Sequence, residues 1–312
     1  MGKLLIGTRG SRLALMQTAI VSDLLSRAEP GIALEPKVIK TSGDLNQKSP
    51  IFEMAGDGIF GKEINEAVID GKVDFAVHSM KDLPTAIDRR LVIAAVPMRE
   101  SPSDVLISRG SVGLDDLQPG AIVGTSSIIR IAELKRSRAD LRAKAIRGNV
   151  ETRIKKMERG EYDALILAEA GVNRLGLQDK VAQVLGLDEF MPVAGQGALA
   201  VVASADRADI LGSLKKIDHT ESRYEVSAER KLASLLGVGC EAAVGVLGRA
   251  SRGRLALSCT VFSPKGTGAM SYSAAGAAAT AEELAKRVGK TLMDRGAMGW
   301  IAGWGARKAE AV

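Results

Sequence analysis

Two stretches of this chain are built alike. Leu4-Leu5-Ile6-Gly7-Thr8 runs into a helical pattern that starts at Ser11, and Ala121-Ile122-Val123-Gly124-Thr125 runs into another that starts at Ser127. Each is a short apolar run, a Gly-Thr turn, and a helix with hydroxyls at its beginning. Around them, β-like runs alternate with helical periodicity. Strands are predicted at 3–7, 33–41, 73–77 and 91–96, with helices at 11–27 and 60–70. After Pro97 the pattern restarts, with strands at 105–108, 121–124, 143–146 and 164–168 and helices at 127–138 and 149–159. Alternation of this kind predicts α/β layers with parallel or mixed sheets. A further apolar strand at 198–203 follows the second unit and is expected to cross back to the first.

From Ile217 the pattern changes. A helix at 221–236 ends at Gly237, short strands follow at 242–247, 255–262 and 269–275, and a closing helix at 280–295 takes Thr280 as its N-cap. This last third reads as a small α+β domain with a loose tail after Trp304. A chain of 312 residues has room for three such parts.

Composition removes several classes of function. The chain is 46% hydrophobic and 26% charged, near the globular average. No apolar run approaches the roughly 20 residues that cross a bilayer. The apolar start at Leu4-Leu5-Ile6 meets Thr8-Arg9-Gly10-Ser11 too early for a signal-peptide core, and Ile6 breaks a myristoylation signal. The expectation is a soluble cytoplasmic protein without a membrane partner. Cys240, Cys259, His78 and His219 are too few for a zinc framework, so no metal is expected. Aromatics are 3% of the chain, against stacking platforms for single-stranded nucleic acid.

Net charge is +6, but between Arg130 and Arg159 there are 11 Lys/Arg against 4 Asp/Glu. That segment reads as a solvated helical surface, a site for a polyanionic small molecule, or a nucleic-acid patch; composition leaves the three open. The matched helix starts bear on the second reading, because helix N-termini attract anions. Plain N-capping by Ser and Thr is the competing explanation.

The sharpest segment is Asp74-Phe75-Ala76-Val77-His78-Ser79-Met80-Lys81-Asp82-Leu83-Pro84. A buried strand delivers His, Ser, Lys and Asp onto its exit loop, where α/β folds place ligands. Asp82 beside Lys81 is either a surface pair or a carboxylate that stabilises a cation and exchanges protons with a leaving group.

Val77-His78-Ser79-Met80-Lys81-Asp82-Leu83-Pro84 closely resembles the signature loop of the porphobilinogen deaminases, also called hydroxymethylbilane synthases. The likeness runs in order through Gly7-Thr8-Arg9-Gly10-Ser11, Gly58-Ile59-Phe60, Gly124-Thr125-Ser126-Ser127 and Arg147-Gly148-Asn149-Val150. It continues through Tyr162-Asp163-Ala164, Ala170-Gly171, Gly195-Gln196-Gly197 and Gly239-Cys240.

The resemblance implies three domains. Two are α/β lobes like those of periplasmic binding proteins, joined by a double hinge: domain 1 at residues 1–97 and 198–216, and domain 2 at 98–197. The third, 217–312, is a small α+β domain. It also implies a monomer that condenses four porphobilinogen molecules head to tail into hydroxymethylbilane, releasing ammonia at each step, in tetrapyrrole biosynthesis. The chain grows on a dipyrromethane cofactor held by a thioether, and Cys240 occupies the anchoring position. Read alone, Cys240 is either a reactive loop thiol or a buried structural one, and Cys259 keeps the structural reading.

By the same resemblance Asp82 is the catalytic carboxylate: loss of the amino group from porphobilinogen leaves a cation shared with the pyrrole nitrogen, which a nearby carboxylate stabilises. Cofactor contacts fall to Lys81, Ser79, Thr125, Ser126, Ser127, Arg130, Arg147 and Gly148, and substrate contacts to Arg9, Ser11, Gln17, Arg147, Arg153, Arg174 and Gln196. Every pyrrole carries an acetate and a propionate, and the planar guanidinium suits bidentate carboxylate binding. Gln17, one helical turn on from Ser11, reads equally as a surface residue.

The chain departs from the family pattern at a few points. Ile128-Ile129-Arg130 keeps only the second of two usual arginines, Asp57 and Glu53 stand where many members carry Lys, and no proline follows Cys240-Glu241-Ala242-Ala243. Residues 42–59, with Gly43, Gly56 and Gly58, are expected to form a mobile loop over the site. Two other functions compete: a non-enzymatic two-lobed binder of anionic small molecules, and a nucleic-acid binder using residues 130–159. The first explains the paired strand–turn–helix units but gives Asp82 and Cys240 no task.

Overall fold

The computed structural model describes residues 3–42, 61–239, 242–264, 266 and 268–310. The expected loop at 42–59 and Cys240 therefore fall almost wholly outside the described residues, as do Glu53, Asp57 and Glu241.

In chain order, β1 (Leu4–Thr8), α1 (Arg12–Ala28), β2 (Leu34–Val38), α2 (Lys62–Ile69), β3 (Phe75–Ser79) and β4 (Leu91–Ala95) come first. They are followed by β5 (Asp104–Ser108), β6 (Ile122–Gly124), α3 (Ile128–Ser137), β7 (Arg142–Lys144), α4 (Val150–Glu158), β8 (Ala164–Ala168), α5 (Glu169–Arg174) and β9 (Gln183–Val184). The chain then forms β10 (Leu199–Ser204), α6 (Ala208–Lys215), α7 (Thr220–Leu235), β11 (Val244–Ser251), β12 (Arg254–Phe262), β13 (Ala269–Ala277), α8 (Ala281–Asp294) and α9 (Ala297–Glu310). These elements form two compact units, Met1–Glu100 with Gly197–Arg223, and Ser101–Gln196 with Tyr224–Val312.

The first unit is a five-stranded sheet in the order β2-β1-β3-β10-β4. β1 runs parallel to β2 and β3, and β10 is antiparallel to both β3 and β4. The strand expected to return to the first unit does so, pairing Leu199 with Ser79 and Ala203 with Phe75. In the second unit the order is β7-β6-β8-β5-β9, with β6 parallel to β7 and β8, and β5 antiparallel to β8 and β9. The two orders match if β5 and β10 are exchanged. Each strand that follows a passage between units fills the same antiparallel position in its new sheet.

The Gly-Thr repeat has a packing cause. A Cβ on Gly7 would lie 3.0 Å from Val73 Cγ2 and 3.1 Å from Ile64 Cγ2; one on Gly124 would lie 2.7 Å from Leu165 Cδ2 and 2.9 Å from Tyr162 Cδ1. Glycine lets neighbouring side chains close over the strand there, most tightly at Gly124. On the opposite face of the first sheet, Ile6, Phe75, Val77 and Val201 bury against Val21 and Leu25 of α1 and Ile210 and Leu214 of α6. Both sheet faces are covered, so these strands read as continuous apolar runs.

The C-terminal part of the second unit is an antiparallel sheet, β11-β12-β13, whose inner face packs on α7 and α8 through Leu232, Leu257, Val261, Leu284, Val288 and Leu292. β13 is an edge strand. Arg287 of α8 donates to the Ala275 carbonyl at 2.8 Å, and Arg295, just past that helix, donates to the Ser271 carbonyl at 3.4 Å. The tail expected to be loose is instead α9, where the Trp304 indole N–H donates to the Phe262 carbonyl at 2.9 Å. Thr280 precedes α8 as expected but does not cap it; its hydroxyl donates to Ala277 O at 3.0 Å. Among the described residues no helix is long and apolar enough to cross a membrane.

Candidate active site

In the first unit the residues of interest gather at the carboxyl end of the sheet. β3 is buried through Phe75–His78 and passes into a single 3-10 turn, Met80–Asp82. Buried Met80 and Leu83 clamp that turn on either side, with Met80 N–H donating to Ala198 O at 3.0 Å and Leu83 N–H to Met80 O at 3.2 Å. Between the clamps, Lys81 is half-buried and Asp82 exposed. Among the described residues no hydrogen bond or ion pair engages the Asp82 carboxylate, so the surface pair with Lys81 does not form. Gln17 is buried, not a surface residue, and its amide donates to Ser79 Oγ at 2.8 Å, tying α1 to the end of β3.

Ser11 takes the N-cap position of α1, and its hydroxyl accepts from Ala14 N–H at 3.3 Å, which favours capping at this helix. Arg9 is half-buried near His78. The buried His78 ring is held neutral: burial, then the Arg9 charge, push its pKa down to about 4, and Nε2 has no hydrogen-bond partner.

The second unit repeats the geometry with different uses for its hydroxyls. Thr125 is buried and its Oγ1 accepts from Ser127 N–H at 3.2 Å; Ser126 Oγ donates to Ile146 O at 2.8 Å and accepts from Ile146 N–H at 3.0 Å. Both hydroxyls therefore help to shape the turn. Ser127 stands at the N-cap of α3 without using its side chain there. Arg147 is half-buried on the loop after β7, where the Lys156 ammonium donates to its carbonyl at 3.2 Å. Arg153 Nε donates to the Gly148 carbonyl at 2.8 Å, and Arg174 is half-buried at the end of α5.

Arg130 and Gln196 both have partners within the protein. The Arg130 guanidinium is buried and grips Asp104 with two bonds, Nε to Oδ2 at 2.8 Å and Nη2 to Oδ1 at 2.6 Å. Its Nη1 donates to Ile166 O at 3.1 Å and Nη2 to Gln196 Oε1 at 3.3 Å. The Gln196 amide in turn donates to Pro102 O and Asp104 Oδ1, both at 2.8 Å. A fork already satisfied on its bidentate edge has little left for an external carboxylate. Ile129, at the position of the missing arginine, is buried with Ala132, Ala243 and Phe262.

Sequence reasoning missed Asp104 and Glu133. The signal for Asp104 was a charge opening the otherwise apolar strand Asp104-Val105-Leu106-Ile107. Glu133 lies one turn after Arg130, is 1% exposed, and neither of its carboxyl oxygens has a hydrogen-bond partner. Burial, and then the Asp104 charge, hold its pKa well above the ordinary carboxylate range against the pull of Arg130. The native state therefore keeps a proton that the unfolded chain loses near pH 4.5. Stability from this group falls as pH rises above that value, by about 1.4 kcal/mol per unit until the native carboxyl itself ionises. Glu133→Gln is expected to melt close to wild type at pH 4 and above it at pH 8. Equal melting differences at both pH values would mean that Glu133 is ionised where it sits.

Taken by itself, the first unit offers an exposed carboxylate at Asp82. The second, by itself, offers half-buried Arg147 and Arg174 and the Ser127 hydroxyl at a helix N-terminus. The buried thiol of Cys259 contributes nothing reactive, because burial pushes its pKa up to about 12. Comparison with known proteins gives a consistent result. A family model described as porphobilinogen deaminase, dipyromethane cofactor binding domain, matches residues 4–212, and one described as porphobilinogen deaminase, C-terminal domain, matches 223–294. The chain is 41% identical over 302 residues to a probable porphobilinogen deaminase of Nitrosopumilus maritimus, covering 97% of this chain and 96% of that one. It is 43% identical over 295 residues to the porphobilinogen deaminase of Desulforudis audaxviator, covering 95% and 96%. Among solved structures, the second substrate binding domain of a putative amino acid ABC transporter from Streptococcus pneumoniae aligns with a TM-score of 0.42 at 13% identity, over 69% of this chain and 90% of that one.

Proposed function

Since this chain belongs to the porphobilinogen deaminase family, we propose that Asp82 is its catalytic carboxylate and Cys240 the anchor of its dipyrromethane cofactor. The reaction is the stepwise head-to-tail condensation of four porphobilinogen molecules into hydroxymethylbilane with release of ammonia, in tetrapyrrole biosynthesis. The observation that carries the assignment of Asp82 is its position: exposed, unpaired among the described residues, and clamped between buried Met80 and Leu83 at the exit of β3.

From there the carboxylate can face the pyrrole nitrogen of a bound substrate, stabilise the cation left when the amino group departs, and relay a proton to the leaving amine. Ser79 and Lys81, on the same turn, orient substrate and cofactor beside it. Arg9 and Ser11 in the first unit, and Arg147, Gly148, Arg153 and Arg174 in the second, receive acetate and propionate groups. Gln17, Thr125, Ser126, Arg130 and Gln196 act one step back, holding Ser79, Ser127 and the start of α3 in place.

The donor set in the second unit fits a group that carries carboxylates: arginine forks, the Ser127 hydroxyl and the N-terminus of α3. With Ile129 buried among apolar side chains, that set has one cation fewer than is usual in the family. The bound dipyrromethane supplies the pyrrole carbon from which the product chain is extended. The functional division is the three-domain one, residues 1–97 with 198–216, 98–197 and 217–312, in a cytoplasmic monomer with neither nucleic-acid nor membrane partners.

Intact mass tests the anchor. The wild-type protein is expected to exceed its sequence mass by two linked pyrrole units, and Cys240→Ser to match its sequence mass. An unmodified wild-type mass that persists after incubation with porphobilinogen would overturn the assignment of Cys240 and favour an anion-binding protein without turnover.

A further inference from the structure

We propose that the free edge of the second unit's sheet is a docking rim for carboxylates of the growing pyrrole chain, with Lys144 at its centre and Arg142 beside it. The inference rests on the deaminase reading above. Among the described residues β7 pairs only with β6, at one edge, and Arg142 and Lys144 are both exposed.

The basic segment seen in the sequence resolves into two kinds of cation. Arg130 is neutralised by Asp104, and Arg138 by Asp140 at 2.7 Å. Arg142, Lys144, Lys155 and Arg159 have no carboxylate partner among the described residues. Two like charges two residues apart on one strand, as Arg142 and Lys144 are, repel, and an unladen protein gains nothing from them.

Solvation explains the exposure of these groups but not the placing of Lys144. Its ammonium sits 4.9 Å from the centre of the Tyr162 ring. That ring is buried, and its hydroxyl donates to Ala145 O at 2.8 Å, so the platform is fixed. The Lys144 carbonyl accepts from Thr125 N–H at 3.0 Å, setting the residue directly beside the Gly-Thr turn that leads into α3. Three residues on is Arg147.

Charge matching supplies the reason for a rim. Every added ring brings two carboxylates, so four substrate rings on a two-ring cofactor carry twelve. Among the second-unit positions that the family pattern gives to carboxylate binding, Arg130 is occupied by Asp104 and Ile129 is apolar. An ammonium and a guanidinium on the adjoining sheet edge extend the cationic surface outward, where late rings need it more than the first.

The test is the distribution of adducts by intact mass after the loaded enzyme meets limiting porphobilinogen, for wild type and for the double variant Arg142→Gln/Lys144→Gln, at low and high ionic strength. We expect the first ring to add as in wild type and species with three or four added rings to fall several-fold at low salt. High salt should narrow the difference, since exposed charges are screened. The charge-keeping double variant Arg142→Lys/Lys144→Arg should give the wild-type distribution and guards against a folding artefact. An identical distribution in the double variant at low salt would overturn the rim, as would a loss that falls equally on the first ring. A wild-type protein that forms no adducts at all would instead overturn the deaminase reading on which the rim depends.

Discussion

Asp82→Asn is expected to leave the protein folded and to slow porphobilinogen consumption roughly 10²–10⁴-fold, the range that a positioned proton-transfer group contributes. The two halves of this result have separate causes. Asp82 is exposed and makes no hydrogen bond or ion pair among the described residues, so its removal breaks nothing that holds the first unit together. The amide keeps the shape of the side chain but carries no negative charge for a cationic intermediate and cannot pass on a proton. Thermal melting and turnover of the same preparations separate stability from chemistry. A variant that keeps half of wild-type turnover would refute the role given to Asp82, whereas a large drop in melting temperature would show that the turn Met80–Asp82 depends on the carboxylate.

Asp104→Ala should act in the opposite way, on stability first. The Asp104 and Arg130 side chains are 4% and 10% exposed, and two charge-assisted bonds join them. Removing the acid strands a buried guanidinium, a loss of about 3–5 kcal/mol, which in a domain of this size lowers Tm by about 10 °C. Denaturant unfolding of wild type and variant measures it. Because Gln196 donates to the same carboxylate, the loop at Gly195-Gln196-Gly197 loses an anchor as well. The double variant Asp104→Leu/Arg130→Met is expected to recover much of the loss, since a buried pair replaced by apolar groups of similar volume is often neutral. A loss below about 1 kcal/mol in the single variant would mean that water reaches the pair.

Much of the fold was legible because it is written locally. Strands such as 164–168 and helices such as 149–159 announce themselves by period and by caps, and Asn149 does accept from Thr152 N–H at 2.8 Å. The two Gly-Thr units were legible as an echo, though the reason, side chains closing over Gly7 and Gly124, needs the third dimension. Asp82 was legible because a buried strand and its exit turn are contiguous in the chain.

What stayed hidden was non-local. Arg130 finds its carboxylate 26 residues away on another element, and Gln196 reaches back 92 residues to the same group. Read along α3, Arg130 and Glu133 look like an ordinary exposed pair one turn apart; in the fold both are buried, Arg130 against Asp104, Ile166 and Gln196, none of them near it in the chain. α9 was missed because glycines at 299, 303 and 305 weaken its helical signal, while its contacts are non-local: Trp300 packs on the C-terminal core and Trp304 on the cluster of Ile129, Ala132, Ala243 and Phe262.

β13, Ala-Met-Ser-Tyr-Ser-Ala-Ala-Gly-Ala, has neither a charge nor a proline in nine residues. Left bare, an edge strand of that composition is a template for a second strand, which would couple one molecule to the next. Arg287 and Arg295 already occupy two of its carbonyls, at Ala275 and Ser271, from the neighbouring helix and its end. An incoming strand must dislodge both guanidinium groups and bring their charge against its own backbone. The two arginines thus guard this edge against the strand addition from which fibres grow.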